Sequence, residues 1–81
     1  MLKVYGSMLC KDCVACRAAF DRAGIGYTFL DFAEDLGNLK EFLALREGNP
    51  LFDGVRKDGG IGIPCIQRED GTVTLDWESC M

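Results

Sequence analysis

Residues 1–24, MLKVYGSMLCKDCVACRAAFDRAG, carry the reading on which the fold turns. Leu2 to Tyr5 is a short apolar run of strand character, and Gly6-Ser7 breaks it. Cys13 to Ala23 then places Cys13, Cys16, Ala19 or Phe20 and Ala23 along one side at helical spacing, and Gly24 suits the stop of that helix. Cys10-Lys11-Asp12-Cys13 therefore falls at a strand-to-helix junction. Unpaired backbone N–H groups and the helix dipole stabilise a thiolate at such a junction. The Cys-x-x-Cys spacing sets a second thiol within reach of the first, so that a mixed disulfide formed at Cys10 can be resolved by Cys13. Cys16 follows one turn further along the same face.

Outward from this segment the periods alternate. Tyr27 to Phe32 is rich in aromatic and β-branched residues and reads as a second strand, with Tyr27, Phe29, Leu30 and Phe32 as core residues. Strand, helix and strand imply a parallel pair with a right-handed crossover. Asn38 with Glu41 three residues on resembles a capping box for a second helix running to about Glu47, with Leu39, Phe42, Leu43 and Arg46 on one stripe. Gly48-Asn49-Pro50 stops it. Asn49 can cap a further short helix that has Pro50 at its first position and reaches about Lys57, ahead of Asp58-Gly59-Gly60. Ile63 to Arg68 and Thr72 to Trp77 read as a hairpin turning around Asp70-Gly71. The order is βαβ, one or two helices, then ββ, which predicts one α/β domain over residues 1–81.

Composition narrows the function classes. With 81 residues, a net charge of −4 and no basic cluster, the chain is poorly suited to nucleic acid or anionic membranes. No apolar run approaches the ~20 residues of a membrane span, and the start lacks the tripartite pattern of a secretory signal, so a cytoplasmic setting is expected. Three of the five cysteines crowd into residues 10–16, a spacing that suits redox or metal chemistry in a reducing compartment.

A Cys-x-x-Cys after the first strand and a proline opening the third resemble the thioredoxin fold, and among its families the glutaredoxins and glutaredoxin-related proteins. The resemblance spans nearly the whole chain and is carried by Tyr5 to Cys13 and by Gly62-Ile63-Pro64. It implies a four-stranded mixed sheet, with Cys10 as nucleophile, Cys13 as resolving thiol and a cis-proline at Pro64 facing the thiols. Lys11, beside the nucleophile, and the Ile63 backbone join Pro64 as the expected substrate contacts. The activity so implied is thiol-disulfide oxidoreduction without a resident cofactor. Its partners would be a protein or small-molecule disulfide and a reductant, either glutathione or a thioredoxin-type system.

This chain departs from the family pattern in ways that carry expectations. Lys11 and Asp12 stand where glutaredoxins commonly have a proline and an aromatic residue. Ser7 occupies the position of a basic residue that holds glutathione's carboxylate, and the Gly-Gly turn after the hairpin has no counterpart. Weak turnover with glutathione is therefore expected. The C-terminal helix of those families is missing or vestigial, leaving apolar surface to be covered by the Pro50 to Lys57 segment or by a second copy in a homodimer burying Trp77.

Two of the remaining thiols have two readings each. Cys16 reads as an auxiliary thiol or as a small buried hydrophobe, and Cys65, next to Pro64, as an auxiliary thiol or a buried strand residue. Cys80 reads as a bystander at a frayed terminus. A second functional reading is a binding module in which Cys10, Cys13, Cys16 and Cys65 hold a metal ion or an iron-sulfur cluster through thiolates. A redox-inert interaction scaffold is the third.

Overall fold

Strand β1 (Leu2–Gly6) has strands on both sides in a computed structural model that describes residues 1–81. Along one edge it pairs in parallel with β2 (Tyr27–Asp31), Leu2 opposite Tyr27 and Gly6 opposite Asp31. Along the other it pairs antiparallel with β3 (Cys65–Gln67), which pairs antiparallel with β4 (Val73–Thr74). The result is a four-stranded mixed sheet in the order β2-β1-β3-β4. The parallel pair needs a long crossover, and α1 (Lys11–Ala23) supplies it. Two further helices follow β2: α2 (Leu36–Arg46) and, after a 3₁₀ turn at Pro50–Phe52, α3 (Asp53–Lys57). A second 3₁₀ turn, Trp77–Cys80, follows β4. No helix is long and apolar enough to cross a membrane.

Because successive strand side chains point to opposite faces, adjacent residues of β1 seed two separate cores. Val4 joins Cys16, Phe20 and Ile66 on the α1 face. Tyr5 joins Phe42, Phe52 and Cys65 on the face covered by α2 and the Pro50–Phe52 turn. The strand register agrees, with Val4 opposite Ile66 and Tyr5 opposite Cys65. Phe20, Phe42 and Phe52 are fully buried, each such ring contributing roughly 1.5–3 kcal/mol through removal from water. Contacts outside the core also seat α1 on β2: the Arg17 guanidinium stacks 4.4 Å from the Phe29 ring centre, and the Tyr27 hydroxyl donates to Asp21 at 2.7 Å.

Several element boundaries differ from those expected. Helix α1 begins at Lys11, two residues earlier than its apolar face suggests, because Cys10 itself is the extended N-cap residue. Helix α2 is capped by Asp35, whose carboxylate accepts the Gly37 N–H at 2.7 Å, and not by Asn38. Asn38 lies inside the helix and donates its side-chain amide to the Asp31 carbonyl. On the expected α2 stripe, Phe42 is buried while Leu43 is exposed, and Leu45 packs instead against the Tyr5 core. Asn49 does cap the Pro50 turn, accepting the Leu51 N–H at 3.0 Å.

The hairpin is shorter than its apolar run. Asp70 accepts both the N–H and the hydroxyl of Thr72 at the turn, and Thr74 accepts the Asp76 N–H just after β4, which bends the chain away before Trp77. Trp77 is therefore in a 3₁₀ turn and not in a strand, with its ring edge-on to Phe20 at 6.1 Å. This turn covers part of the α1 face. The Pro50–Lys57 segment does not, because Phe52 packs on the opposite face.

Candidate active site

Cys10 and Cys13 meet at the start of α1. Cys10 has extended backbone geometry, and its sulfur accepts the Cys13 N–H at 3.4 Å, so the first cysteine performs the capping that a serine or aspartate ordinarily performs. The Ser7-Leu9 loop reaches this point through a turn in which Ser7 Oγ accepts the Leu9 N–H and the Ser7 carbonyl accepts the Cys10 N–H. Across the gap, the Cys10 thiol faces the Ile63 carbonyl oxygen at 3.9 Å. The Ile63–Pro64 peptide bond is cis, and Pro64 is buried behind it. Cys10, Cys13 and Ile63 are thus drawn together as the sequence predicts, while Lys11 is exposed on the first helical turn and does not line the cleft described below.

The two thiols have different surroundings. Cys10 is half-buried and opens on a cleft of about 580 Å³ lined by Ser7 and Leu9 on its own loop and by residues 59–63. Cys13 is fully buried behind it, against Gly6. Burial pushes the Cys13 thiol up to about 12, with the Ser7 backbone opposing and the Cys10 sulfur adding to the rise. A half-buried thiol in front and a buried, protonated one behind form an ordered pair, with the first sulfur open to the cleft and the second behind it.

Cys16 and Cys65 do not join this pair. Cys16 is in the core of the α1 face and Cys65 in the core of the opposite face, with the sheet between them. Burial raises the first to about 11 and the second to about 12. The set Cys10, Cys13, Cys16 and Cys65 is consequently not assembled around one point, and no group of three or more Cys, Asp or Glu side chains is placed to hold a metal ion. Cys80 is not at a frayed end: it is half-buried and packs against the core that contains Cys16.

Three residues that shape the site are not assigned to it by the sequence. Gly6 makes room for the Cys13 sulfur. Leu9 stands 95% exposed at the cleft rim, one residue before the half-buried thiol. Arg46, at the end of α2, donates from Nε to the Ile61 carbonyl at 3.0 Å and from Nη2 to the Gly60 carbonyl at 3.1 Å, fastening the far wall of the cleft. Arg56 of α3 in turn donates to the Arg46 carbonyl and to the Asn49 carbonyl. An arginine in the last turn of a helix, followed by Gly48-Asn49-Pro50, is the signal that could have pointed to this bracket.

Fold and site together define a small mixed α/β domain whose crossover helix is capped by the first cysteine of a Cys-x-x-Cys pair. No family model matches the chain, and no solved structure does. It is similar to an uncharacterized protein of Haemophilus influenzae, 36% identical over 67 residues that make up 83% of this chain and 78% of that protein. The chain belongs to the family of that protein.

Proposed function

We propose that this protein is a dithiol thiol-disulfide oxidoreductase of thioredoxin-like fold, related to the glutaredoxins. The observation that carries the reading is the placement of Cys10: its sulfur accepts a backbone N–H at the helix start, faces the Ile63 carbonyl and opens on a cleft, with Cys13 directly behind. The Cys10 thiolate attacks one sulfur of a substrate disulfide, forming a new S–S bond and releasing the other substrate sulfur as a thiolate. Cys13 then gives up its proton and attacks the Cys10 sulfur, expelling the second substrate thiolate and leaving a Cys10–Cys13 disulfide. Two electrons have passed to the substrate. An external dithiol returns the pair to its reduced form.

The cleft favours a protein-type reductant over glutathione. Ser7, at the position where a cation would meet a glutathione carboxylate, offers only a neutral hydroxyl, whose oxygen accepts the Leu9 N–H. The test is reduction of a chromogenic disulfide with each reductant in turn. Cys10→Ser is expected to abolish turnover, and Cys13→Ser to accumulate substrate adducts on Cys10. An active Cys10→Ser protein would refute the assignment.

A further inference from the structure

The 3₁₀ turn Trp77–Cys80 and helix α1 meet in register. Side chains three apart in a 3₁₀ turn eclipse one another, so Trp77 and Cys80 share one face. Side chains four apart in an α-helix do the same, and Cys16 and Phe20 are both buried on the face of α1 that the turn covers. Trp77 meets Phe20 edge-on at 6.1 Å, and Cys80 packs against the core that Cys16 and Phe20 share. The turn is held in that position by the Ser79 hydroxyl, which donates to the Asp76 carbonyl at 2.6 Å.

We propose that Cys16 and Cys80 form a second redox-active pair, oxidised by low-molecular-weight disulfides to an intramolecular bond that fastens the Trp77–Cys80 turn to α1. Competing partners lie elsewhere: Cys13 is at the helix start behind Cys10, whose sulfur accepts its backbone N–H, and Cys65 lies beyond the sheet. Cys80 is half-buried while Cys16 is fully buried, which orders the chemistry. The Cys80 thiolate attacks the external disulfide, one S–S bond breaks, and one external thiol leaves with the electron pair. Cys16 then loses its proton to solvent and attacks the Cys80 sulfur, releasing the second external thiol. One disulfide is consumed, two thiols are released, and the chain loses two hydrogens. Burial, then the nearness of Cys80, holds Cys16 up at about 11, so the pair closes slowly and responds to sustained oxidation.

The experiment treats the full chain with oxidised glutathione, caps free thiols and maps tryptic peptides by mass. The expected product joins the peptide of residues 12–17 to that of residues 69–81, with fragmentation assigning the bond to Cys16. The thermal midpoint should rise by roughly 10 °C or more, because the crosslink closes a long loop in the unfolded chain. Reductant should reverse the rise, and Cys80→Ser should lack it. Cys10→Ser should retain it, which separates this pair from the thiol-exchange site. Cys80 persisting as a glutathione adduct, a bond from Cys80 to another chain, or a linked peptide with no thermal shift would each overturn the proposal.

Discussion

Gly6 and the Cys13 sulfur share one space: a β-carbon built on Gly6 would lie 2.5 Å from Cys13 Sγ. Any side chain at position 6 must displace the Cys13 thiol or shift the end of β1. Gly6→Ala is expected to lower stability by about 1–3 kcal/mol, the usual effect of overfilling a packed site. If the proposed chemistry holds, it should also lengthen the life of mixed disulfides on Cys10. Denaturant titration reads the first effect and quenched mass analysis the second, and a Gly6→Ala protein of unchanged stability would contradict the packing.

Thiol accessibility should divide the cysteines into two classes. Cys10 and Cys80 are half-buried, whereas Cys13, Cys16 and Cys65 are buried. Alkylation of the reduced native protein at neutral pH should label the first two, and all five only after unfolding. Native labelling of Cys65 would show that the α2 face opens readily.

Alkaline pH should destabilise the fold. Burial raises Cys13 and Cys65 to about 12 and Cys16 to about 11, from an ordinary value of 9.0. Between pH 9 and about 11 the unfolded chain has released these protons while the folded chain still holds them. Stability is thus fully present below pH 9 and falls as pH rises, by roughly 1.4 kcal/mol per pH unit for each such thiol. Denaturant midpoints measured across this range test the slope, and Cys65→Ala should reduce it.

Arg46→Ala removes two hydrogen bonds to the carbonyls of Gly60 and Ile61. The expected cost is about 1–3 kcal/mol, with faster hydrogen exchange in residues 59–63. Arg46→Lys should recover only part of it, since one ammonium lacks the planar fork that meets two carbonyls. Equal exchange in both variants and the parent would remove Arg46 from the cleft wall.

Phe52 is fully buried and meets Phe42 edge-on at 5.9 Å. Truncation to alanine should cost about 3–5 kcal/mol. Gly62→Ala acts on the same ring from outside: its β-carbon would meet Phe52 at 2.8 Å, and its φ of 95° disfavours any side chain. It should destabilise the protein while leaving Phe52 itself intact.

The succession of strands and helices, the crossover helix and the Pro50 turn were legible because each rests on local chemistry: period, caps and punctuating glycine and proline, whereas the approach of Ile63 to Cys10 followed only from the family resemblance. The α2 cap was misplaced because Asn38-x-x-Glu41 satisfies a capping pattern as well as Asp35 does, and only Asp31, already fixed in β2, draws Asn38 into the helix instead. Trp77 was read into a strand because Thr72 to Trp77 has strand composition, yet Thr74 accepts the Asp76 N–H and ends the ladder. The role of Gly6 depends on how Cys13 packs back against the end of β1, and that of Arg46 on the carbonyls of a loop distant in the chain; the sequence shows where these residues stand but not what they touch.

The alternation of Val4 and Tyr5 across β1 has a consequence for where the Cys10 sulfur can be. A slip of one residue in β1 would send Val4 into the aromatic core and Tyr5 beneath α1, reversing both interiors at once. The strand is thereby pinned lengthwise. Only Ser7, Met8 and Leu9 separate its last residue from Cys10, so the position of that thiol is measured out from two hydrophobic interiors like a distance along a fixed rule. Adding or deleting one residue in that short span would leave both interiors intact and still move the sulfur off the Ile63 carbonyl.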